Sequence, residues 1–214
     1  MSRFTDIAKE EKKKQDKKKP SAVGVKKSKS ILSEVKDINL IKYVRAHLGR
    51  IDGFSIPKNE HDQIVIVSDE PFNALTFLYS ILEKYKKIDE LCLSYYSFNM
   101  KIIDLIDCLM ESGMIKKLLF QTSNLRKYGS DSKIPRKISA MEMKYGSEKV
   151  SGSFVNSHAK IMLCKIENDF YVVEGSGNMA KKERTEQYLI EKSEESYNFH
   201  KEWITNYEKS EKIK

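Results

Sequence analysis

Long apolar runs are missing from this sequence. Nothing in it approaches the roughly 20 consecutive apolar residues that a bilayer-spanning helix requires. The stretch MSRFTDIAKEEKKKQDKKKP lacks the apolar centre of a secretory signal. A cytoplasmic protein that is not a membrane partner is therefore expected. Cysteine is scarce as well: Cys92, Cys108 and Cys164 are scattered, odd in number and each set in an apolar run. That pattern argues against a disulfide framework and for buried, reduced thiols. No Cys/His cluster has zinc-ligand spacing and no acidic cluster resembles a calcium loop, so no metal and no cofactor are expected. Internal repeats are absent too.

What is present is charge, unevenly placed. Of 39 Lys/Arg and 31 Asp/Glu in 214 residues, the first 30 residues hold 11 and 4, which leaves 28 and 27 for residues 31–214. The net +8 is thus almost wholly a property of the N-terminal segment. That segment has little hydrophobic periodicity and is expected to be a disordered basic tail. Such an arm either tethers the chain to a polyanion, nucleic acid or anionic membrane, or merely solubilises it.

Residues 31–214 are expected to form one domain. ILSEVKDINLIKYVRAHLG (31–49) has helical spacing and a terminal glycine. QIVIVS (63–68) reads as a buried strand, and residues 70–87 as a helix opened by Pro71, with Phe72, Leu75, Leu78, Tyr79 and Leu82 on one stripe. A strand (90–97), a helix (99–113) and a strand (115–123) follow. This alternation predicts an α/β fold with a mixed, mostly parallel sheet flanked by helices. Residues 124–137 read as a loop or short irregular helix, and 138–152 fit either a helix or a strand entering a turn. The runs 158–166 and 169–175, separated by Glu167-Asn168, predict a hairpin. An amphipathic helix over 193–210 packs on the sheet.

The candidate chemistry lies on that hairpin. It opens with His158-x-Lys160 and closes with Gly175-Ser176-Gly177-Asn178, and Glu186 follows in the next apolar run. Strand alternation sends His158 and Lys160 to one face, where an imidazole and an ammonium can meet one phosphate. The glycines let backbone N–H groups, Ser176 and the Asn178 amide approach phosphate oxygens, forming a cradle for developing negative charge.

This order of residues resembles the phospholipase D superfamily, and the strand–helix–strand over 90–120 and the Trp-bearing last helix are similar to its short bacterial nucleases. The resemblance spans residues 60–210, with its specific signal between His158 and Glu186. It implies a phospholipase D-like half-unit and a metal-independent phosphodiesterase. His158 would attack phosphorus to form a phosphohistidine. Lys160 and Asn178 would hold the phosphate with Gly175, Ser176 and Gly177, and Glu186 would orient an imidazole. A second histidine would protonate the leaving oxygen. His47, His61 and His200 lack a Lys two residues on, so the resemblance implies a homodimer that joins two copies of His158.

Two departures stand against the pattern. The family's motif continues to an Asp at the position that is Lys165 here, with Asp169 nearby at the hairpin turn, and the link to Gly175 is longer than the family's. The alternatives are a degenerate nucleic-acid-binding module and a phosphatidyl-transferring enzyme at an anionic membrane. Tyr95, Tyr96 and Phe98 fit either core or a base-stacking groove. Arg126, Lys127, Arg136 and Lys137 fit either phosphate contacts or a solvated loop.

Overall fold

A computed structural model describes residues 56–68, 74–123, 133–179 and 186–211, with the side chains of the last helix as far as residue 206. The basic tail, the helix expected over 31–49, the Pro71 helix start, Phe72, Arg126 and Lys127 all lie outside the described residues.

Among the described residues seven strands form one sheet: β1 (Gln63–Ser68), β2 (Glu90–Tyr95), β3 (Leu118–Ser123), β4 (Val150–Val155), β5 (Lys160–Ile166), β6 (Asp169–Gly175) and β7 (Glu186–Lys192). Their spatial order is β1-β7-β6-β5-β2-β3-β4. The helices are α1 (Leu75–Tyr85), α2 (Met100–Glu111), α3 (Lys133–Tyr145) and α4 (Glu194–Glu211).

The fold is α/β with a mixed sheet flanked by helices, as expected, but the balance of pairings is reversed. Among the described strands, β2–β3 and β3–β4 are the parallel pairs. The β1–β7, β2–β5, β5–β6 and β6–β7 pairs are antiparallel. Helices α2 and α3 supply the crossovers that parallel neighbours need, whereas β5 and β6 are joined by a tight turn that permits only antiparallel pairing. In that turn Glu167 takes a φ of 54°, the left-handed conformation a two-residue hairpin demands. The ambiguous stretch 138–152 resolves as the end of α3 followed by the start of β4.

Local signals set the helix ends. The Asn99 side chain accepts from the Ile102 N–H at 3.0 Å and caps α2, which stops before Gly113 at a φ of 74°. Helix α1 ends where Lys86 turns left-handed and its N–H donates to the Leu82 carbonyl.

Both faces of the central strands are covered, which explains why β2, β5 and β6 read as nearly continuous apolar runs. On one face α1, α2 and α3 pack Phe77, Leu78, Ile81, Ile103, Ile106, Ile138 and Met141 into the same core as Leu93, Met162 and Val173. On the other, α4 sets Tyr197 and Ile204 over Cys92, Leu163 and Val172. Truncating one such side chain, Phe77→Ala for instance, costs about 3–5 kcal/mol in transfer and cavity terms. Strand β1 is a half-covered edge, with Ile64 and Ile66 buried and Val65 and Val67 partly exposed. Cys92 and Cys164 are buried, as expected, but Cys108 is exposed because it falls on the outer face of α2.

Candidate functional site

The antiparallel insertion of β5, β6 and β7 brings separate parts of the sequence to one end of the sheet. Tyr95, the last residue of β2, pairs with Lys160, the first of β5. Gly175 closes β6 opposite Tyr188, near the start of β7, and Ser68 closes β1 opposite Glu186. Strand β5 begins at Lys160 and β6 ends at Gly175, so His158 and Gly177 lie just beyond the paired residues, at the same end of the sheet as Glu186.

His158 lies just ahead of β5 and is exposed. The Lys160 ammonium sits 3.0 Å from its Nδ1 and donates to its carbonyl oxygen at 2.9 Å. An ammonium can only donate, so Nδ1 accepts and a neutral His158 ring carries its proton on Nε2. The tilted ring of Tyr96 packs against the imidazole with centroids 4.9 Å apart.

Beyond β6, the Ser176 hydroxyl donates to Glu186 Oε2 and accepts from the Gln187 backbone N–H at 3.0 Å. The Ser176 N–H in turn donates to the Gln187 carbonyl at 2.9 Å. Ser176 is therefore committed to holding Glu186, a different task from the phosphate contact expected of it. Glu186 is buried, 8% exposed, and its charge, after burial itself, helps push the neighbouring Tyr188 phenol above its usual range. The aromatic ring of Tyr188 explains both glycines: a Cβ on Gly175 would strike that ring, and one on Gly177 would strike its hydroxyl. Asn178 is 7% exposed, and its carboxamide oxygen accepts no hydrogen bond among the described residues. Met179 bridges to Phe98, which ties this loop to the turn after β2.

The seven expected residues thus gather at one end of the sheet, with His158 and Lys160 on one side and Asn178, Ser176 and Glu186 on the other. Tyr96 and the Gln187 N–H were not singled out for these contacts. The aromatic cluster after β2 divides: Tyr95 and Phe98 are buried core, while Tyr96 reaches the site.

Lys165 stands elsewhere. It lies five residues along β5 from Lys160, about 16 Å away at strand rise. Its ammonium is 5.4 Å from the Phe170 ring centroid. Asp169 is equally remote, bound to Tyr85 and to Lys192 at 2.7 Å. No second described histidine joins His158. His61 sits in a turn at the opposite end of the sheet, its N–H bonded to the Lys192 carbonyl. His200, on α4, pairs through Nε2 with Glu174 at 2.7 Å and accepts from Trp203 at Nδ1. Lys137 is bound to Asp107 at 2.6 Å. Among the described residues no three His, Cys, Asp or Glu side chains cluster as a metal-ligand set, and no helix is long and apolar enough to cross a membrane.

No protein-family model matches the chain, and no curated protein matches it in sequence. Among solved structures, it is similar to TrmBL2, an archaeal chromatin protein whose structure is described as showing a novel mode of DNA binding. The TM-score is 0.44 and the identity 17%, over 68% of this chain and 52% of that one. The chain therefore spans about half the length of that protein.

Proposed function

We propose that the chain is a phosphodiesterase of phospholipase D type that cuts nucleic acid as a two-fold dimer. The observation that carries this reading is the convergence of His158, Lys160, Asn178 and Glu186 at one end of the central strands.

In the proposed reaction a phosphate oxygen draws Lys160 away from Nδ1. The proton of the ring moves to Nδ1 and leaves Nε2 free to attack phosphorus. A His158–phosphorus bond forms and the bond to the leaving oxygen breaks, with that oxygen taking a proton from His158 of the second copy, which enters the step as an imidazolium and leaves it neutral. That second ring then takes a proton from water, and the hydroxide displaces His158 from phosphorus. Lys160 and the Asn178 amide hold the equatorial oxygens as charge builds on them. Nucleic acid is preferred as substrate because of the basic segment at residues 1–30.

The test is cleavage of a generic phosphodiester in excess EDTA by the full chain and by His158→Ala. Metal-independent turnover that disappears in the variant supports the proposal. Inactivity at high dimer concentration with DNA binding intact favours a second reading, a binding module that retains the cradle. That reading draws on Glu186, against which no imidazole lies among the described residues; in the catalytic reading the carboxylate that Ser176 holds orients the imidazole of the second copy.

A further inference from the structure

We infer that Tyr96 is a positioning residue for His158, fixing the plane of the imidazole for the proposed reaction; the inference rests on that reading and deepens it. His158 precedes β5, belongs to no strand and is exposed, so its backbone alone leaves the ring free to turn. Two groups restrain it. Lys160 holds the Nδ1 edge at 3.0 Å, and the Tyr96 ring packs against the imidazole at a 45° tilt with centroids 4.9 Å apart.

Tyr96 follows a well-packed strand end. Its carbonyl accepts from Thr122 Oγ1 at 3.4 Å, and Thr122 is buried on β3 opposite Tyr95. Tyr95 is buried and meets Phe98 edge-on at 5.5 Å, and Phe98 packs on Phe120 at 4.2 Å and bridges Met179. The turn after β2 is thus tied to β3 on one side and to the Asn178 loop on the other. A half-buried aromatic ring on such a support costs little additional entropy to keep in place, having only two side-chain torsions. When Lys160 turns to a phosphate, Tyr96 is the restraint that remains on the imidazole. The contact is made by the ring, so the phenol hydroxyl is dispensable.

The experiment uses the full-length dimer, its Tyr96→Ala and Tyr96→Phe variants, methyl p-nitrophenyl phosphate as substrate and NMR of the His158 ring protons. In Tyr96→Ala, kcat should fall about ten- to a hundred-fold with KM little changed, the loss expected when a reacting group is misoriented. Tyr96→Phe should restore it. The His158 ring protons should lose their aromatic ring-current shift in Tyr96→Ala and keep it in Tyr96→Phe. Identical His158 shifts in wild type and Tyr96→Ala would overturn the inference, whatever the turnover. So would a raised KM on an oligonucleotide with kcat on the small substrate intact, which would make Tyr96 a base-stacking contact. Loss of the ring-current shift in a protein that never turns over would instead sink the catalytic reading and leave the Tyr96–His158 contact standing.

Discussion

Ser176 and Glu186 are joined by a hydrogen bond across the β6–β7 ladder: the Ser176 hydroxyl donates to the carboxylate while accepting the Gln187 N–H. The glycine-flanked serine therefore serves the acid, and the acid is fixed before substrate arrives. Ser176→Ala should free the Glu186 carboxylate while leaving the fold intact. A hydrogen bond to a charged group contributes about 1.5–3 kcal/mol. We expect kcat to fall about ten-fold or more with a smaller change in KM, measured on a small phosphodiester. An unchanged kcat would remove Glu186 orientation from the account.

Gly177→Ala should be worse than its size suggests. The added methyl would meet the Tyr188 hydroxyl and lie 3.2 Å from the Glu186 carboxyl carbon. Overpacking of this kind costs about 1–3 kcal/mol. A Gly177→Ala, Tyr188→Phe double variant should recover part of the lost melting temperature. Equal melting temperatures for single and double variants would show that Tyr188 is not what requires a glycine there.

Glu90 gives a prediction about stability and pH. It is buried on β2, where Tyr197 Oη donates to it at 2.6 Å and Lys201 and Lys117 pair with it. Burial opposes its ionisation, yet the hydrogen bonds from Lys201 and Tyr197 outweigh that and hold its carboxyl below the usual 4.5. A depressed carboxylate stabilises the fold fully above its unfolded value. That contribution is lost as pH falls through the folded value. Glu90→Gln should therefore destabilise the protein by about 1.5–3 kcal/mol near neutrality. Denaturant melts should show the gap closing below pH ~4. A gap that stays constant from pH 7 to pH 3 would contradict this.

Deleting residues 1–30 removes 11 basic and 4 acidic residues, a net loss of seven positive charges. DNA binding should weaken and its salt dependence flatten, each lost phosphate contact removing about 0.9 from the slope of log K against log salt. Turnover of a small phosphodiester should be unchanged. If both decline together, the tail and the site are not separable.

How much of this was legible in the sequence differs by element. Hydrophobic period and turn chemistry sufficed for β2, α2, β3, the β5–β6 hairpin and α4, because each is a local pattern. The antiparallel majority was harder to see. It depends on β5 inserting beside β2 and on β1 closing against β7, contacts between residues far apart in the chain. The site residues carried a linear signal, His158 to Glu186, because β5, β6 and β7 are consecutive and adjacent. Tyr96 was legible only as one of three aromatics that fit core or a base-stacking groove; its contact with His158 carried no linear signal, since it arises only through the β2–β5 pairing across more than sixty residues. The same topology places Lys165 at the far end of β5, so the position at which the motif departs from the family is remote from the imidazole.

The central claim is a two-step displacement through His158, and the stereochemistry at phosphorus tests it most directly. Cleavage of a phosphorothioate diester of known configuration in ¹⁸O-labelled water should proceed with overall retention, because two inversions cancel when a phosphohistidine intervenes. Net inversion, the result of a single direct attack by water, would contradict the account, as would the absence of turnover at concentrations where the dimer is fully formed.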